Sequence, residues 1–236
     1  MTDSSPPAST DENTPKLYLW ITSLALLAAL LPTVWTQLDL QAAALFFGPQ
    51  ATVQAVDWWW VRLINAYVPS FFRWCLLIAL LGWIAASLNT GWRAWRLPLL
   101  FVVVSGVLGP GMVVNWGFKE HWQRARPYQV ENFGGPQKFS RAAVMTDQCD
   151  NNCSFVSGHV SCGVFLVSLG LVHRRRRRAW AAVGVLSGLL IGFARMADVA
   201  HWLSDVLWAF PITLAVSWLT WKVLLRLYRK PSATVG

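Results

Sequence analysis

Charged residues are scarce in this sequence, at 13% of its 236 residues, whereas soluble globular domains carry about 25%. This low charge, together with 55% hydrophobic residues, excludes a disordered chain, a collagen and a charged coiled coil. Cysteine is scarce as well. Four cysteines are too few for the disulfide framework of a small secreted module, which excludes that class. The class that remains is an integral membrane protein.

Six apolar blocks, each nearly free of charge, approach the roughly 20 residues that an α-helix needs to cross a bilayer. They are residues 17–35, 71–89, 98–118, 155–172, 179–194 and 206–221. Backbone groups in lipid must pair internally, and the blocks show no barrel-like alternation. The sequence therefore predicts an all-α fold, with six transmembrane helices inside a membrane domain of residues 17–228.

The two ends of the chain differ from this domain. Residues 1–16 are rich in Ser, Thr and Pro and contain no aromatic residue, which predicts a disordered tail. A cleaved signal peptide is the alternative, but it is disfavoured because the tail is acidic and the first apolar block is too long. Residues 229–236 form a predicted C-terminal tail.

The net charge of +9 is concentrated on one side of the predicted membrane domain. The side with both termini holds twelve of the 20 Lys and Arg residues but three of the 11 acids. Since basic residues near span ends are retained in the cytoplasm, we expect both tails to be cytoplasmic. The arginines at 174–178 lie in a short loop, which favours a topological anchor that meets anionic lipid heads over a nucleic-acid site. We expect no nucleic-acid partner.

The opposite side carries the segments 36–70 and 119–154, and the first contains Trp58, Trp59 and Trp60. Tryptophan is enriched at the headgroup level of a bilayer. The segment 36–70 is therefore predicted to include an interfacial helix.

Cations and a helix start follow the third span on this same side. Lys119 supplies an ammonium and Arg126 a guanidinium fork, the groups that bind phosphoryl oxygens. Pro127 disfavours helical geometry at Arg126, so we expect Arg126 in an extended segment. Ser157 and Gly158 stand where the fourth span begins and offer a hydroxyl and unpaired N–H groups to an anion.

Two histidines complete the pattern. His201 and Asp205 are four residues apart, which places them on one face of a predicted helix, where the carboxylate orients the imidazole as a nucleophile. His159, on another helix, is then a proton donor to the leaving oxygen. Arg195 adds a third cation for charge on the phosphoryl oxygens. Each residue alone is unremarkable at a membrane surface, but together they indicate phosphoryl transfer.

In order and spacing these residues resemble the type 2 phosphatidate phosphatase and vanadium haloperoxidase family, whose pattern is Lys-x6-Arg-Pro, then Pro-Ser-Gly-His, then Ser-Arg-x5-His-x3-Asp. The first motif is complete here. Val156 replaces the proline of the second, and Ala194 replaces the serine of the third. Both departures fall at supporting positions.

The resemblance implies a metal-independent lipid phosphatase that needs no cofactor. It assigns His201 as the residue that forms a phosphohistidine, Asp205 as its orienting partner, and His159 as the acid and then the base. It implies that the phosphate is held by Lys119, Arg126, Ser157, Gly158 and Arg195. The few acids near the motifs agree with this, because a magnesium cage would need more carboxylate oxygen.

Cys149 and Cys153 lie four residues apart in the segment before the second motif. Zinc would need further ligands at a suitable spacing, and none is present. A disulfide is the favoured hypothesis, because the non-cytoplasmic compartment of bacteria is oxidising. Cys75 and Cys162 fall inside spans and are expected to pack in the core.

An active site at the membrane surface implies an amphiphilic phosphate as substrate. Residues 133–135 and 149–159 resemble bacterial members of the family that remove phosphate from lipid A. Undecaprenyl diphosphate, phosphatidylglycerol phosphate and phosphatidate stay open as substrates, as does the choice between a monoester and a diphosphate. The expected location is the bacterial inner membrane, with the site facing the periplasm or exterior. The sequence carries no signal for an oligomeric state.

Two other classes compete with a lipid phosphatase. A haloperoxidase would share the anion site but bind vanadate, and such enzymes are soluble, so the six spans disfavour it. A lipid or anion transporter with a basic pocket is the non-enzymatic alternative. Such a transporter would not require the His201 and Asp205 pair.

Overall fold

A computed structural model of the chain describes residues 13–48, 55 and 57–228. These residues are mainly helical and form no strand apart from an isolated bridge between Val130 and Gln137. The α-helices are α1 Asn13–Val34, α2 Gln37–Ala44, α3 Trp59–Leu88, α4 Arg96–Gly106, α5 Lys119–Trp122, α6 Gly158–Val172, α7 Arg177–Ala197 and α8 Leu203–Tyr228. A π-helix, Val107–Phe118, joins α4 to α5 without a break. The predicted all-α class is confirmed.

Five of the described helical segments are long and apolar enough to cross a membrane. The fourth predicted span, α6, is a shorter apolar helix, and ten of its 15 residues are buried. Large apolar side chains point outward from the other helices, including Trp20 at 68% and Phe71 at 71% exposure. An apolar outer surface of this extent belongs in lipid, so the chain is a multi-pass membrane protein with α6 at its centre.

The second span starts earlier than its apolar block indicates. It was expected at residue 71, but α3 begins at Trp59 and runs for 30 residues, or about 45 Å. Trp59 and Trp60 form the first turn of α3, and an interfacial helix within the segment 36–70 stays a prediction. A separate short helix, α2, lies in the same segment.

The predicted tails lie almost entirely outside the described residues. The exception is residues 13–16, which form the first turn of α1 and so extend the first span toward the N-terminus. Residues 229–236 are not among those described.

Glycines let α6, α7 and α8 approach closely. A Cβ atom at Gly188 of α7 would lie 2.6 Å from Val164 Cγ2 of α6 and 2.7 Å from Phe210 Cζ of α8. At Gly163 of α6, a Cβ would lie 2.8 Å from Ile191 of α7. Small residues at such crossings allow the tight backbone packing common in membrane bundles.

This packing gathers the functional segments at one end of the bundle. The starts of α6 and α8 are in contact, since the N–H of Ser157 donates to Asp205 O at 3.2 Å. The end of α7 lies beside them, because five residues separate it from α8. Tyr18 of α1 ties the outer helix to this centre, since its hydroxyl donates to Leu214 O at 2.9 Å and lies 3.1 Å from Ser168 Oγ.

Candidate active site

The structure brings the predicted site residues to this end of the bundle. His201 is 1% exposed and lies in the turn between α7 and α8. The positive charges of Arg195, Arg126 and Lys119 all act on His201. Residues from two separate motifs, up to 82 positions apart in the chain, therefore share one electrostatic environment.

His201 is held as a neutral imidazole. Burial lowers the pKa of His201 well below its usual value, and the charges of Arg195, Arg126, Lys119 and His159 add to this effect. An imidazole without a proton on one nitrogen is the form that attacks an electrophile. The expectation that His201 lies on a helix is wrong, because α8 begins two residues later, at Leu203.

Asp205, in the first turn of α8, nevertheless faces His201. The distance from His201 Nδ1 to Asp205 Oδ2 is 3.5 Å, slightly longer than a hydrogen bond. The same oxygen accepts the backbone N–H of Trp202 at 2.9 Å and the hydroxyl of Ser154. Because Nδ1 faces the carboxylate, Nε2 is the nitrogen directed away from it.

Arg124 is a functional residue that the sequence analysis missed. It is 0% exposed, and its Nη1 donates to Asp205 Oδ1 at 2.6 Å. Its Nη2 donates to Asp39 Oδ2 of α2 at 2.8 Å. Burial raises the pKa of Asp39, and the charge of Arg124 opposes that rise. Arg124 thus neutralises charge between two buried carboxylates, one of which faces His201.

A signal for this pair existed in the sequence. Asp39 is an isolated acid between apolar residues, and a charge in such a place is normally paired. The partner could not be identified from spacing, since Asp39 and Arg124 are 85 residues apart.

The two predicted cations after the third span both contact one residue. Arg126 has extended backbone angles, φ −81° and ψ 158°, as the following proline predicts. Its Nε and Nη2 donate to the backbone oxygen of Asn152 at 3.1 and 2.7 Å. Lys119, which is 8% exposed, donates from Nζ to Asn152 Oδ1 at 3.2 Å.

The start of α6 has the predicted form. Ser157 occupies the N-cap position, but its side chain makes no capping hydrogen bond, and its backbone N–H donates to Asp205 O at 3.2 Å. Gly158 follows, where a Cβ atom would lie 2.5 Å from Asn115 Oδ1. A larger residue at Gly158 would displace Asn115, so the close approach at this helix start requires glycine.

His159 and Arg195 are linked by Asn65 of α3, which the sequence analysis also missed. His159 Nε2 lies 3.1 Å from the backbone oxygen of Asn65; since a carbonyl only accepts, Nε2 carries the hydrogen and Nδ1 is left for proton transfer. Arg195 Nη1 donates to Asn65 Oδ1 at 2.5 Å and to Asp198 Oδ2 at 3.2 Å. No motif of the sequence includes Asn65.

Several buried polar atoms of the site have no protein partner within the described part of the chain. They are Ser157 Oγ, Arg195 Nε and both ring nitrogens of His201. Buried polar atoms normally have a hydrogen-bond partner. Together with the three cations, these atoms form a donor set suited to a tetrahedral anion beside His201.

The two departures from the family pattern are packed in apolar surroundings. Val156 is fully buried with Val114 and Phe155, and Ala194 is fully buried with Val61 and Ala197. Both substitutions therefore replace a supporting residue by an apolar one without opening the site.

Cys149 and Cys153 are joined by a disulfide with a Cα–Cα distance of 5.7 Å. Cys162 is half-buried and Cys75 is exposed on the outside of the bundle, so Cys75 is not a core residue as expected. Across residues 13–48, 55 and 57–228, no three His, Cys, Asp or Glu side chains are grouped to hold a metal ion.

Known proteins are similar to this chain over the region that carries the candidate site. The sequence profile of the PAP2 superfamily matches residues 95–229. A lipid A 4'-phosphatase of Francisella tularensis subsp. novicida is 33% identical over 203 residues, which cover 84% of this chain and 89% of the relative. No solved structure matches the chain.

Two further relatives align over less than half of this chain. A lipid A 4'-phosphatase of Rhizobium leguminosarum is 39% identical over 111 residues, or 47% of this chain and 48% of the relative. One of Rhizobium etli is 39% identical over 101 residues, or 42% of this chain and 39% of the relative.

Proposed function

This chain belongs to the PAP2 superfamily and is a membrane lipid phosphatase, and from this premise we propose that it hydrolyses a phosphate monoester of lipid A through a phosphohistidine at His201. The resemblance to type 2 phosphatidic acid phosphatases drawn from the motifs is confirmed. The names of the relatives from Francisella and Rhizobium support lipid A as the substrate.

The observation that carries the mechanism is the environment of His201. Its imidazole is buried, neutral and without a hydrogen-bond partner among the described residues, yet three cations act on it. Positive charges placed around a neutral imidazole do not stabilise the fold. The same arrangement draws an anionic phosphoryl group onto a nucleophile.

In the first step, Nε2 of His201 attacks phosphorus, a P–N bond forms and the P–O bond to the lipid breaks. His159 enters this step as an imidazolium with a hydrogen on both ring nitrogens, and the lipid oxygen takes the proton from its Nδ1. Asp205 stabilises the positive charge that develops on His201. Lys119, Arg126 and Arg195 neutralise the phosphoryl oxygens, which is the main catalytic requirement of phosphoryl transfer.

In the second step, His159 accepts a proton from water, whose oxygen attacks phosphorus. The P–N bond breaks, inorganic phosphate leaves, and His201 returns to its neutral form. One residue serves as acid and then as base because the second step reverses the proton transfer of the first. Each step is carried by side chains of the protein.

The proposed location is the bacterial inner membrane, with the site at the periplasmic face. The basic residues support this orientation, because the arginines at 174–178 follow α6 at the end opposite His159 and basic loops remain cytoplasmic. The disulfide at the site end supports it as well, since disulfides persist in the periplasm.

Replacement of the nucleophile tests the mechanism. Purified wild type should release phosphate from lipid A in detergent containing EDTA, and His201→Ala should lower kcat by roughly 10⁴-fold or more, as loss of a covalent nucleophile does. The matched control is His121→Ala, an exposed histidine, which should retain wild-type turnover.

The outcomes separate the competing functions. Unchanged turnover in His201→Ala would exclude a phosphohistidine at this residue. Activity that is lost in EDTA and restored by magnesium would indicate a metal-dependent reaction instead. A panel with undecaprenyl diphosphate, phosphatidylglycerol phosphate and phosphatidate tests the substrate, because a higher kcat/KM for any of them would displace lipid A.

A further inference from the structure

Asn152 contacts two of the residues that hold the phosphate in the proposed site. Its side-chain oxygen accepts from Lys119 and its backbone oxygen accepts twice from Arg126. These two cations lie 33 and 26 residues away in the chain, and Asn152 lies outside the three motifs that carry the predicted site residues. The contacts converge on one exposed residue.

The backbone around Asn152 is held in place by its local conformation and by contacts on both sides. Asn152 has a φ of 48°, in the left-handed region that asparagine tolerates better than most residues. The loop is closed by the Cys149–Cys153 disulfide. Ser154 then fixes its end, because its N–H donates to Arg124 O at 2.9 Å and its hydroxyl donates to Asp205.

The contacts orient the two cations and leave most of their N–H donors available. A lysine ammonium has three N–H donors and an arginine guanidinium has five. Asn152 takes one donor from Lys119 and two from Arg126, so most donors stay available to phosphoryl oxygens. Asn152 is neutral, which leaves the positive charge intact, whereas a carboxylate at this place would compete with the phosphate.

We propose that Asn152 is a positioning residue that aligns Lys119 and Arg126 on the phosphate, and that the Cys149–Cys153 disulfide maintains this alignment. The inference rests on the proposed phosphate site and adds to it a dependence on oxidation. An added phosphine supplies two electrons and becomes a phosphine oxide, water supplies the oxygen and two protons, and the disulfide becomes two thiols. The freed loop then no longer fixes Asn152 against the two cations.

An isosteric charge change separates positioning from a merely structural role. Asn152→Asp keeps the shape and the tolerance for left-handed angles but places a carboxylate on Lys119. We expect KM for the lipid phosphate and the inhibition constant of orthovanadate to rise about tenfold each, as for loss of one charge-assisted hydrogen bond, with kcat changed by less than about twofold. A structural role alone predicts wild-type values.

Asn151 provides the matched control. It is an exposed asparagine in the same loop, and its side chain makes no hydrogen bond to the residues that the structure describes. Asn151→Asp adds the same charge one position away and should leave both constants within about twofold of wild type. Asn152→Gly keeps the left-handed backbone and removes only the Lys119 contact, so it should give an intermediate rise.

The dependence on oxidation is tested in the wild-type protein with a phosphine reductant. Labelled thiols should increase from two to four, since Cys75 and Cys162 are free, and the orthovanadate inhibition constant should rise to a value near that of Asn152→Asp. The double variant Cys149→Ala/Cys153→Ala should show the raised value with or without reductant.

Two results would overturn the inference. One is an Asn152→Asp variant that unfolds at the wild-type temperature and has the wild-type inhibition constant for orthovanadate. The other is a wild-type protein whose inhibition constant does not change on reduction although four thiols are labelled. Failure of the lipid A assignment is distinguishable, because orthovanadate and inorganic phosphate bind the cation pair whichever lipid is cleaved. An Asn152→Asp protein that does not fold leaves the decision to Asn152→Gly and the reduced wild type.

Discussion

Arg124 joins two carboxylates that come from opposite ends of the chain. Asp39, Arg124 and Asp205 are all 0% exposed, and Ser204 reinforces the group by donating its N–H and hydroxyl to Asp39 at 2.8 and 2.6 Å. Ion pairs without access to water stabilise little in total, but removing one partner strands the other charge. Loss of Arg124 would therefore leave the carboxylates of Asp39 and Asp205 buried without their cation.

Arg124→Gln should destabilise the protein and impair His201 together. It leaves two buried carboxylates without a cation, a loss of about 3–5 kcal/mol, which corresponds to a fall in Tm of roughly 10 °C for a chain of this size. The Tm is measured by tryptophan fluorescence in detergent, and phosphate release is measured on the fraction that remains folded.

A double variant provides the control. Arg124→Gln/Asp39→Asn removes one of the stranded charges, so its Tm should lie above the sum of the two single effects, as expected for groups in contact. Additive losses would mean that Asp39 and Arg124 do not act as one ionic group.

At the residue scale, the sequence predicts groups that lie in short, ordered motifs. Lys119, Arg126, His159 and His201 could be identified because neighbouring residues and spacing define them. Asn65 could not, since its contact with Arg195 spans 130 residues and an asparagine in an apolar block has no distinctive spacing. Long-range partners of a site become visible only after the helices are packed.

The helices differ in how closely apolar blocks predict them. The block for α3 starts at residue 71 because Arg62 and Asn65 interrupt the hydropathy, yet the helix includes both. Asn65 is tolerated there since Arg195, Asp198 and His159 satisfy its polar groups.

The third span was predicted at 98–118, but helical structure continues from Arg96 to Trp122 with the π-helix in the middle. Pro110 lies inside it and cannot donate to the helical ladder. The carbonyl oxygen of Pro110 accepts a hydrogen bond from the side chain of Asn115 at 2.6 Å. Wider turns of this kind often occur near functional sites, and hydropathy gives no indication of them.

The contact between α7 and its neighbours can be tested with an alanine. In Gly188→Ala, the added Cβ overlaps Val164 and Phe210, so we expect a loss of about 1–3 kcal/mol from overpacking. The end of α7 carries Arg195, so KM for the lipid phosphate should rise as well.

Gly82→Ala in α3 is the matched control, because its Cβ would lie 3.4 Å from Leu99 Cδ1, an ordinary contact. Alanine is the better helix former by up to about 1 kcal/mol, so Gly82→Ala should equal or exceed the wild-type Tm. Equal Tm values for the two variants would contradict tight packing at Gly188.

For the molecule as a whole, the structure places the segment 119–154 and the α7–α8 turn at one end and the arginines at 174–178 at the other. The proposed orientation puts the first end outside the cytoplasm. The apolar blocks predicted the class because burial in lipid acts on every residue of a span, whereas the site depends on a few contacts. Of the six predicted spans, five correspond to described helices long enough to cross a membrane.

Alkaline phosphatase fusions test this orientation, since the reporter is active only after export. A fusion after Asp147 should be active and a fusion after Arg176 inactive, because basic loops are retained in the cytoplasm. The reverse pattern would place the site in the cytoplasm and remove the proposed periplasmic reaction.

The shortness of α6 affects how the substrate arrives. Its 15 residues span about 22 Å, less than the roughly 30 Å of hydrocarbon. With its arginine end held at one surface, its His159 end stops beneath the opposite surface. In the proposed mechanism and orientation, a lipid phosphate would reach His201 by lateral diffusion within its own leaflet. The substrate's mole fraction in that leaflet, not its bulk molarity, would then govern the turnover rate.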